Sequence, residues 1–378
     1  MRATVVVGAN FGDEGKGRIV DDLSTSDTVV VRFNGGAQAG HTVVAPDGAR
    51  HVFSHFGSGT LRQGMTLLSR FFAINPIIFG IEWTELYNLG YPPFVMADPK
   101  CPITTPYEVE VNRALERSRG GARHGSCGVG YGETIEREEA GGDYRWERVL
   151  SGNRAPRLDG YTEHRLRKLG LEKEVDTVIH TARQTMPTFL DAVEFMRDVT
   201  MTRFAPEVIR QSPHIVFEGA QGLLLSEDSK FFPHVTRSRT GVANAQALLK
   251  EAEVEEWEAV YVTRTYLTRH GAGPLPGEDP SLAYRDLTNV EGEFQGALRF
   301  APLDVDLMAE AIKKDLPERR KASIALTCWD QFGNSDLLRE ITKKTGLPIS
   351  YITNGPQRGA FLGESMSISS NKGLAQVN

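Results

Sequence analysis

GANFGDEGKG, residues 8–17, follows the β-branched run ATVVVG (3–8) and packs three glycines, two carboxylates and one lysine into its last six positions. A strand, a glycine-rich turn and a helix start make a phosphate loop, and this reading decides the fold. The usual nucleotide loop is G-x-x-x-x-G-K-[ST], whose final hydroxyl binds magnesium while backbone amides cradle the phosphates. Here Asn10 stands at the first glycine and Gly17 at the hydroxyl. A metal at such a loop needs another oxygen, and Asp13 is the candidate.

Outward from the loop, strand-like and helix-like stretches alternate. TVVVRF (28–33), HIVFEG (214–219), EAVYVTRTY (258–266), ASIALT (322–327) and PISYIT (348–353) read as strands buried on both faces. HTVVAPDGARHVFSHF reads as a hairpin about its Pro-Asp-Gly turn. Helical periodicity is clearest over 177–198, 241–252, 305–313 and 334–345. Strands separated by helices predict an α/β fold with a large, mainly parallel central sheet and crossover helices. Ligands gather at the carboxyl ends of such strands, where NGGAQAGHT (34–42), HGSCGVGYGET (124–134), FEGAQG (217–222) and RHGAGPLPGE (269–278) also fall.

Composition narrows the function. The chain has 378 residues and a formal charge of −6, with acids and bases interspersed, which argues against a nucleic-acid-binding surface. Cys101, Cys127 and Cys328 are widely spaced and suggest neither disulfides nor a zinc site. No run approaches the roughly 20 apolar residues of a membrane span. A cytoplasmic protein without membrane or nucleic-acid partners is expected.

GDEGKGRIVD, GGAQAGHT, FEGAQG with FPHVT, TRHGAGPLP and TNGP resemble, in order and spacing, the motifs of adenylosuccinate synthetases. The resemblance implies a fold related to P-loop NTPases, in one domain over 1–378 with helical and hairpin insertions at about 100–210. It implies a ligase that uses a nucleoside triphosphate and Mg2+ to join L-aspartate to C6 of a 6-oxopurine nucleotide, acting as a homodimer. Asp13 would be the base for the N1 proton and His41 the acid at the 6-oxygen. Gly12, Gly15, Lys16, Gly17, Gly40 and Thr42 would surround the triphosphate, and the metal would lie on Asp13 and the Gly40 carbonyl. Asp330, Asn354, Gly355 and Pro356 would wall its base. Asp13, Gln38, Ser126, Cys127, Gln221, Thr236 and Arg145 would hold the purine monophosphate, with Arg145 reaching a neighbouring subunit, and Arg299 would bind aspartate.

Departures from the family bear on the substrate. Ala37-Gln38 replaces His-Asn, GALRFAPLD keeps only Arg299 of an arginine-rich loop, and TCWD carries Cys328 where GTP-using members have lysine. A bacteriophage branch acts on dGMP to supply 2-aminoadenine for phage DNA. The thinned arginine loop favours dGMP, with IMP the alternative; the triphosphate is ATP or GTP. A P-loop GTPase or kinase and a catalytically silent nucleotide-binding regulator are readings from other classes. The missing hydroxyl after Lys16 opposes the first, and retention of Asp13 and His41 the second.

Overall fold

A computed structural model of the chain describes residues 2–152, 156–282, 284 and 296–358. Its strands are β1 (Arg2–Gly8), β2 (Thr28–Arg32), β3 (His41–Val44), β4 (Arg50–Phe53), β5 (Met65–Leu68), β6 (Val95–Ala97), β7 (Thr200–Thr202), β8 (His214–Gly222), β9 (Glu258–Arg264), β10 (Tyr266–Arg269), β11 (Arg299–Pro302), β12 (Lys321–Thr327) and β13 (Ile349–Ile352). Nine of them form one sheet in the order β13-β12-β9-β1-β8-β2-β5-β6-β7. Every pairing within it is parallel.

The helices are α1 (Lys16–Leu23), α2 (Pro76–Asn88), α3 (Pro106–Arg119), α4 (Tyr131–Glu139), α5 (Trp146–Leu150), α6 (Asp159–Lys168), α7 (Val175–Val199), α8 (Ala205–Gln211), α9 (Ala243–Glu251), α10 (Val305–Asp315), α11 (Trp329–Phe332) and α12 (Ser335–Thr345). Alternation along β1 shows how the sheet is covered. Val5 and Val7 join Val29, Val31, Ile215 and Phe217 against α8, α9, α10 and α12. Val6 turns the other way with Val30, Val216 and Val260, onto Ile19 and Val20 of α1. Burying both faces at roughly 1.5–3 kcal/mol per large apolar side chain is what the β-branched runs accomplish. A further apolar cluster, with Phe53, Phe56, Phe72, Phe79, Trp146 and Phe189, lies toward the β5–β6 side.

The hairpin forms as expected, with His41 opposite Phe53 across β3 and β4. The run expected as one strand over 258–266 divides. β9 stops at Arg264, and β10 leaves the sheet to pair antiparallel with β11. The break has a physical cause, because the side chains at the join turn to bind neighbouring loops: Arg264 Nε donates to the Asp13 carbonyl, and Thr265 Oγ1 to that of Cys328. Between 100 and 210 the structure shows α3 to α8 and the short parallel strand β7, while the β3–β4 hairpin lies earlier in the chain.

In the sheet order β1-β8-β2, two strands that are consecutive in the main sheet by sequence are separated by a third from far along the chain. The loop after β1 carries Asp13, the segment after β2 leads to His41, and β8 lies between them.

Candidate active site

The loop between β1 and α1 is held by its carbonyls. The Asn10 oxygen accepts from Leu224 N–H at 2.9 Å, that of Gly12 from Thr268 Oγ1 at 3.1 Å, that of Asp13 from Arg264 at 2.5 Å and that of Glu14 from Thr327 Oγ1 at 2.7 Å. Left-handed backbone at Gly12 (φ 97°), Asp13 (φ 61°) and Gly15 (φ 88°) makes the turn. With these carbonyls committed to the surrounding fold, the amides at the end of the loop, from Gly15 into the first turn of α1, are suited to phosphate.

Glu14, a carboxylate the motif reading left without a role, knots the loop together. Its Oε1 accepts from the amides of Asn10 (3.1 Å) and Gly12 (2.8 Å), and its Oε2 from Lys16 Nζ at 2.7 Å. Lys16 and Glu14 are both buried. Gly17 answers why no hydroxyl follows the lysine: a Cβ there would lie 2.8 Å from His41 Cβ and 3.0 Å from Ser58 Oγ. The first turn of α1 approaches the His41 backbone too closely for serine or threonine.

His41 Nδ1 lies 2.6 Å from Glu218 Oε1. Glu218, fully buried in β8, also accepts from Ser58 N–H at 2.9 Å and from the Ser58 hydroxyl. Burial opposes its ionisation, but the His41 ring, the Arg32 charge and the Ser58 hydroxyl outweigh burial and hold the carboxyl at about 2. Burial, the largest influence on His41, pushes its imidazole below the ordinary histidine range against the pull of Glu218. An ionised Glu218 only accepts, so Nδ1 carries a proton, and Nε2 donates only when the ring is an imidazolium. Sequence reasoning missed Glu218 although FEGAQG was in view; the signal was a carboxylate inside a fully buried apolar strand.

Asp13 is partly exposed, and its Oδ2 lies 3.9 Å from His270 Nε2. Gln221, at φ 65°, places Oε1 3.6 Å from where a Cβ on Gly12 would stand. Both amide atoms of Gln38 are buried without a partner, and its carbonyl accepts from Cys127 Sγ at 3.8 Å. Ser126 Oγ accepts from Asn112 of α3 at 3.0 Å, which ties this glycine-rich loop to a helix. Thr236 is half-buried, its amide bonded to the Leu225 carbonyl at 2.9 Å. Gly40 is exposed just before β3, and Thr42 is half-buried within it. Arg145 is engaged elsewhere: its Nε donates to Glu138 at 2.7 Å, and its backbone bridges Pro102.

Asp330 Oδ1 accepts from Gly355 N–H at 2.9 Å, joining α11 to the turn that holds Asn354 and Pro356. The Pro356 carbonyl accepts from Arg18 of α1 at 3.4 Å, so this wall stands beside the phosphate loop. Cys328 sits at φ 56°, half-buried. Arg299 is also committed, donating Nη1 to Glu278 and Nη2 to the Gly271 carbonyl, each at 2.6 Å.

Comparison with known proteins accords with this arrangement. Residues 5–299 match the adenylosuccinate synthetase family model. An adenylosuccinate synthetase of Chromohalobacter salexigens is 33% identical over 287 residues, covering 72% of this chain and 64% of the relative. One from Psychrobacter is 29% identical over 344 residues, covering 89% and 79%. Thus the match spans less than two thirds of the length of several such relatives. A fully ligated adenylosuccinate synthetase from Plasmodium falciparum superposes with TM-score 0.73 at 18% identity, covering 96% of this chain and 99% of that one. The succinoaminodeoxyadenylate synthetase of cyanophage S-2L, bound to dGMP and dATP, gives TM-score 0.67 at 16% identity, covering 96% and 95%. The chain belongs to the adenylosuccinate synthetase family.

Proposed function

We propose that this chain is a ligase that joins L-aspartate to C6 of a 6-oxopurine nucleoside monophosphate while cleaving a nucleoside triphosphate. The reading is carried by the placement of Asp13 and the His41–Glu218 pair around one amide-lined loop. A 6-oxopurine resists attack at C6 because its oxygen is a poor leaving group. Asp13 takes the N1 proton as O6 attacks the γ-phosphorus and nucleoside diphosphate departs. The aspartate amine then adds at C6, the C–O bond breaks, phosphate leaves and the amine loses a proton. His41, its Nδ1–H held by Glu218, takes up a proton as the substrate's phosphate charge arrives and then donates Nε2–H toward the 6-oxygen and the transferring phosphoryl group. Gly15, Gly17 and Thr42, with the Gly12 amide and Lys16 once they leave Glu14, meet the triphosphate's charge.

Mg2+ fits the donor set. Asp13 carboxylate and Gly40 carbonyl are hard oxygens, the donors this ion takes. That suits an ion held by one carboxylate and completed by substrate phosphates. When bound, it would neutralise phosphate oxygens.

For the nucleotide we favour dGMP. A carboxylate at Asp13 can accept from both N1–H and N2–H of guanine. The buried, unpartnered amide of Gln38 offers the phosphate or sugar a donor. Arg299, which the family resemblance would assign to ribose and aspartate, is engaged by the protein itself. The cyanophage neighbour was solved with dGMP. IMP is the second reading, supported by the bacterial relatives at 29–33% identity. Gln221 would read the 6-oxo edge. Ser126, Cys127 and Thr236 would take the 5′-phosphate, with Arg145 from a neighbouring subunit in a homodimer. Asp330, Asn354, Gly355 and Pro356 would receive the base of ATP or GTP.

The test is phosphate release with Mg2+ and L-aspartate, crossing dGMP and IMP against ATP and GTP, with mass identification of the product. Succinylated product from dGMP alone supports the favoured reading, and product from IMP alone replaces it. Phosphate release indifferent to aspartate would point to a GTPase or kinase instead.

A further inference from the structure

The turn Gly271-Ala272-Gly273, which follows His270 out of β10, is bracketed by cationic side chains. Arg299 holds it from one side, through the carbonyls of Gly271 and Gly273. A Cβ on Gly271 would lie 3.2 Å from the His124 carbonyl oxygen, and one on Gly273 would lie 2.6 Å from His234 Cβ. The His124 and His234 rings meet edge to face with centroids 5.1 Å apart. Nearby acids are already matched, Glu116 to Arg119 at 2.5 Å and Glu278 to Arg299. Buried Arg269 donates to the carbonyls of Pro274 and His234 and lies 4.6 Å from the Phe11 ring; among the described residues it has no carboxylate partner. Among the described residues the neighbourhood holds more positive charge than its acids balance, which is the condition of an anion site.

We propose that His124 and His234 form the seat for one carboxylate of the amino-acid substrate, beside a turn that Arg299 holds in place. The inference rests on the ligase reading and names the residues that recognise its dicarboxylate. It accounts for the thinned arginine loop, since the retained guanidinium is spent on backbone carbonyls. In the ligand-free protein both rings are pushed below the ordinary histidine range. Burial is the largest cause for each, followed by Arg119 and His234 for His124, and by Arg269 and Arg119 for His234. An arriving carboxylate reverses that balance, so binding draws a proton from solvent onto the pair and tightens as pH falls. Among the described residues, the charged groups that act on the pair are Glu116 and Arg119 of α3, Arg269 before the turn, and Arg299, itself paired with Glu278.

Calorimetry of the full chain with succinate, in two buffers of different ionisation enthalpy, tests this. Wild type is expected to bind succinate with proton uptake, and His124→Gln/His234→Gln to lose about tenfold or more in affinity together with that uptake. The same variant is expected to raise KM for L-aspartate about tenfold and leave that for dGMP within about threefold. If the double variant melts early, His234→Gln alone and the imidazole NMR signals of wild type titrated with succinate decide the matter. Wild type that binds no succinate overturns the proposal, as does unchanged succinate affinity in the variant. So does a loss confined to dGMP or inorganic phosphate, which would assign the pair to the 5′-phosphate held near Ser126 and Thr236. Succinate binding that depends on the pair, in a protein without aspartate-dependent turnover, upholds the seat and removes the ligase reading.

Discussion

Glu218 Oε1 sits 2.6 Å from His41 Nδ1, while its other oxygen takes the Ser58 amide, so one buried carboxylate fixes both the ring and the segment behind it. Because an imidazolium is required for donation from Nε2, the charge of Glu218 matters as well as its hydrogen bond. Glu218→Gln is expected to lower kcat by roughly 10²- to 10⁴-fold while nucleotide affinity changes little. Pre-steady-state phosphate release with equilibrium nucleotide binding separates the two effects, and unchanged kcat would remove His41 as the acid.

Asp13→Ala should abolish purine-dependent phosphoryl transfer, by about 10²-fold or more, with triphosphate still bound by the amide loop. Equal turnover in that variant would exclude Asp13 as the base.

Restoring the hydroxyl of the usual loop should harm this one. Gly17→Ser brings a Cβ to within 2.8 Å of His41 Cβ, and the expected cost is about 1–3 kcal/mol of stability together with lost activity. Thermal melting and turnover check it; a variant as stable and active as wild type would mean that α1 and His41 can separate.

Acid stability follows from two buried carboxylates. Glu82 accepts from the amides of Ser54, His55 and Phe56. Burial would raise its pKa, but His51, His55 and these bonds bring it down to about 2, as Glu218 is brought down to about 2. Both folded values lie below the ordinary glutamate value of 4.5, so their stabilisation is present above that pH and is lost as pH falls toward 2. Urea midpoints across that range should fall steeply in wild type and less steeply in Glu82→Gln.

Asp315 acts with the opposite sign. Burial lifts it from 3.8 to about 6, against hydrogen bonds from Tyr261 and Val242 N–H. The fold prefers the protonated acid, so this contribution is complete below 3.8 and disappears as pH rises through about 6. Asp315→Asn should flatten the stability profile over that interval; an unchanged profile would show that another group is responsible.

The parts of the fold legible in the sequence were those in which one physical preference dominates. β1, β2, β8, β9, β12 and β13 are runs rich in β-branched residues, and the loop after β1 has few alternatives to a phosphate turn. β5, β6 and β7 escaped notice because three or four residues, such as Val95–Ala97, carry too little pattern. The start of α3 was also passed over, although Thr105-Pro-Tyr-Glu108 holds a signal for it: Thr105 and Glu108 form a reciprocal cap around Pro106. At the site, Asp13 and His41 were nameable from local motifs. Their supports were not, because Glu218 is 177 positions from His41, and Arg264 is 251 from the Asp13 carbonyl it holds. A spacing pattern records neighbours along the chain, whereas these partners become neighbours only through sheet order.

That order also sets when the site can exist. β1 and β2 are made early in synthesis, yet neither pairs with the other; each pairs with β8, whose residues begin at His214. A nascent chain that has emerged only as far as β7 therefore carries β1 without either of its partners and β2 paired on one edge alone, to β5, with Asp13 and His41 present but without the strand that lies between them. The sheet order makes the candidate site wait for β8, and until that strand arrives β1 is the strand most exposed to pairing with the wrong partner.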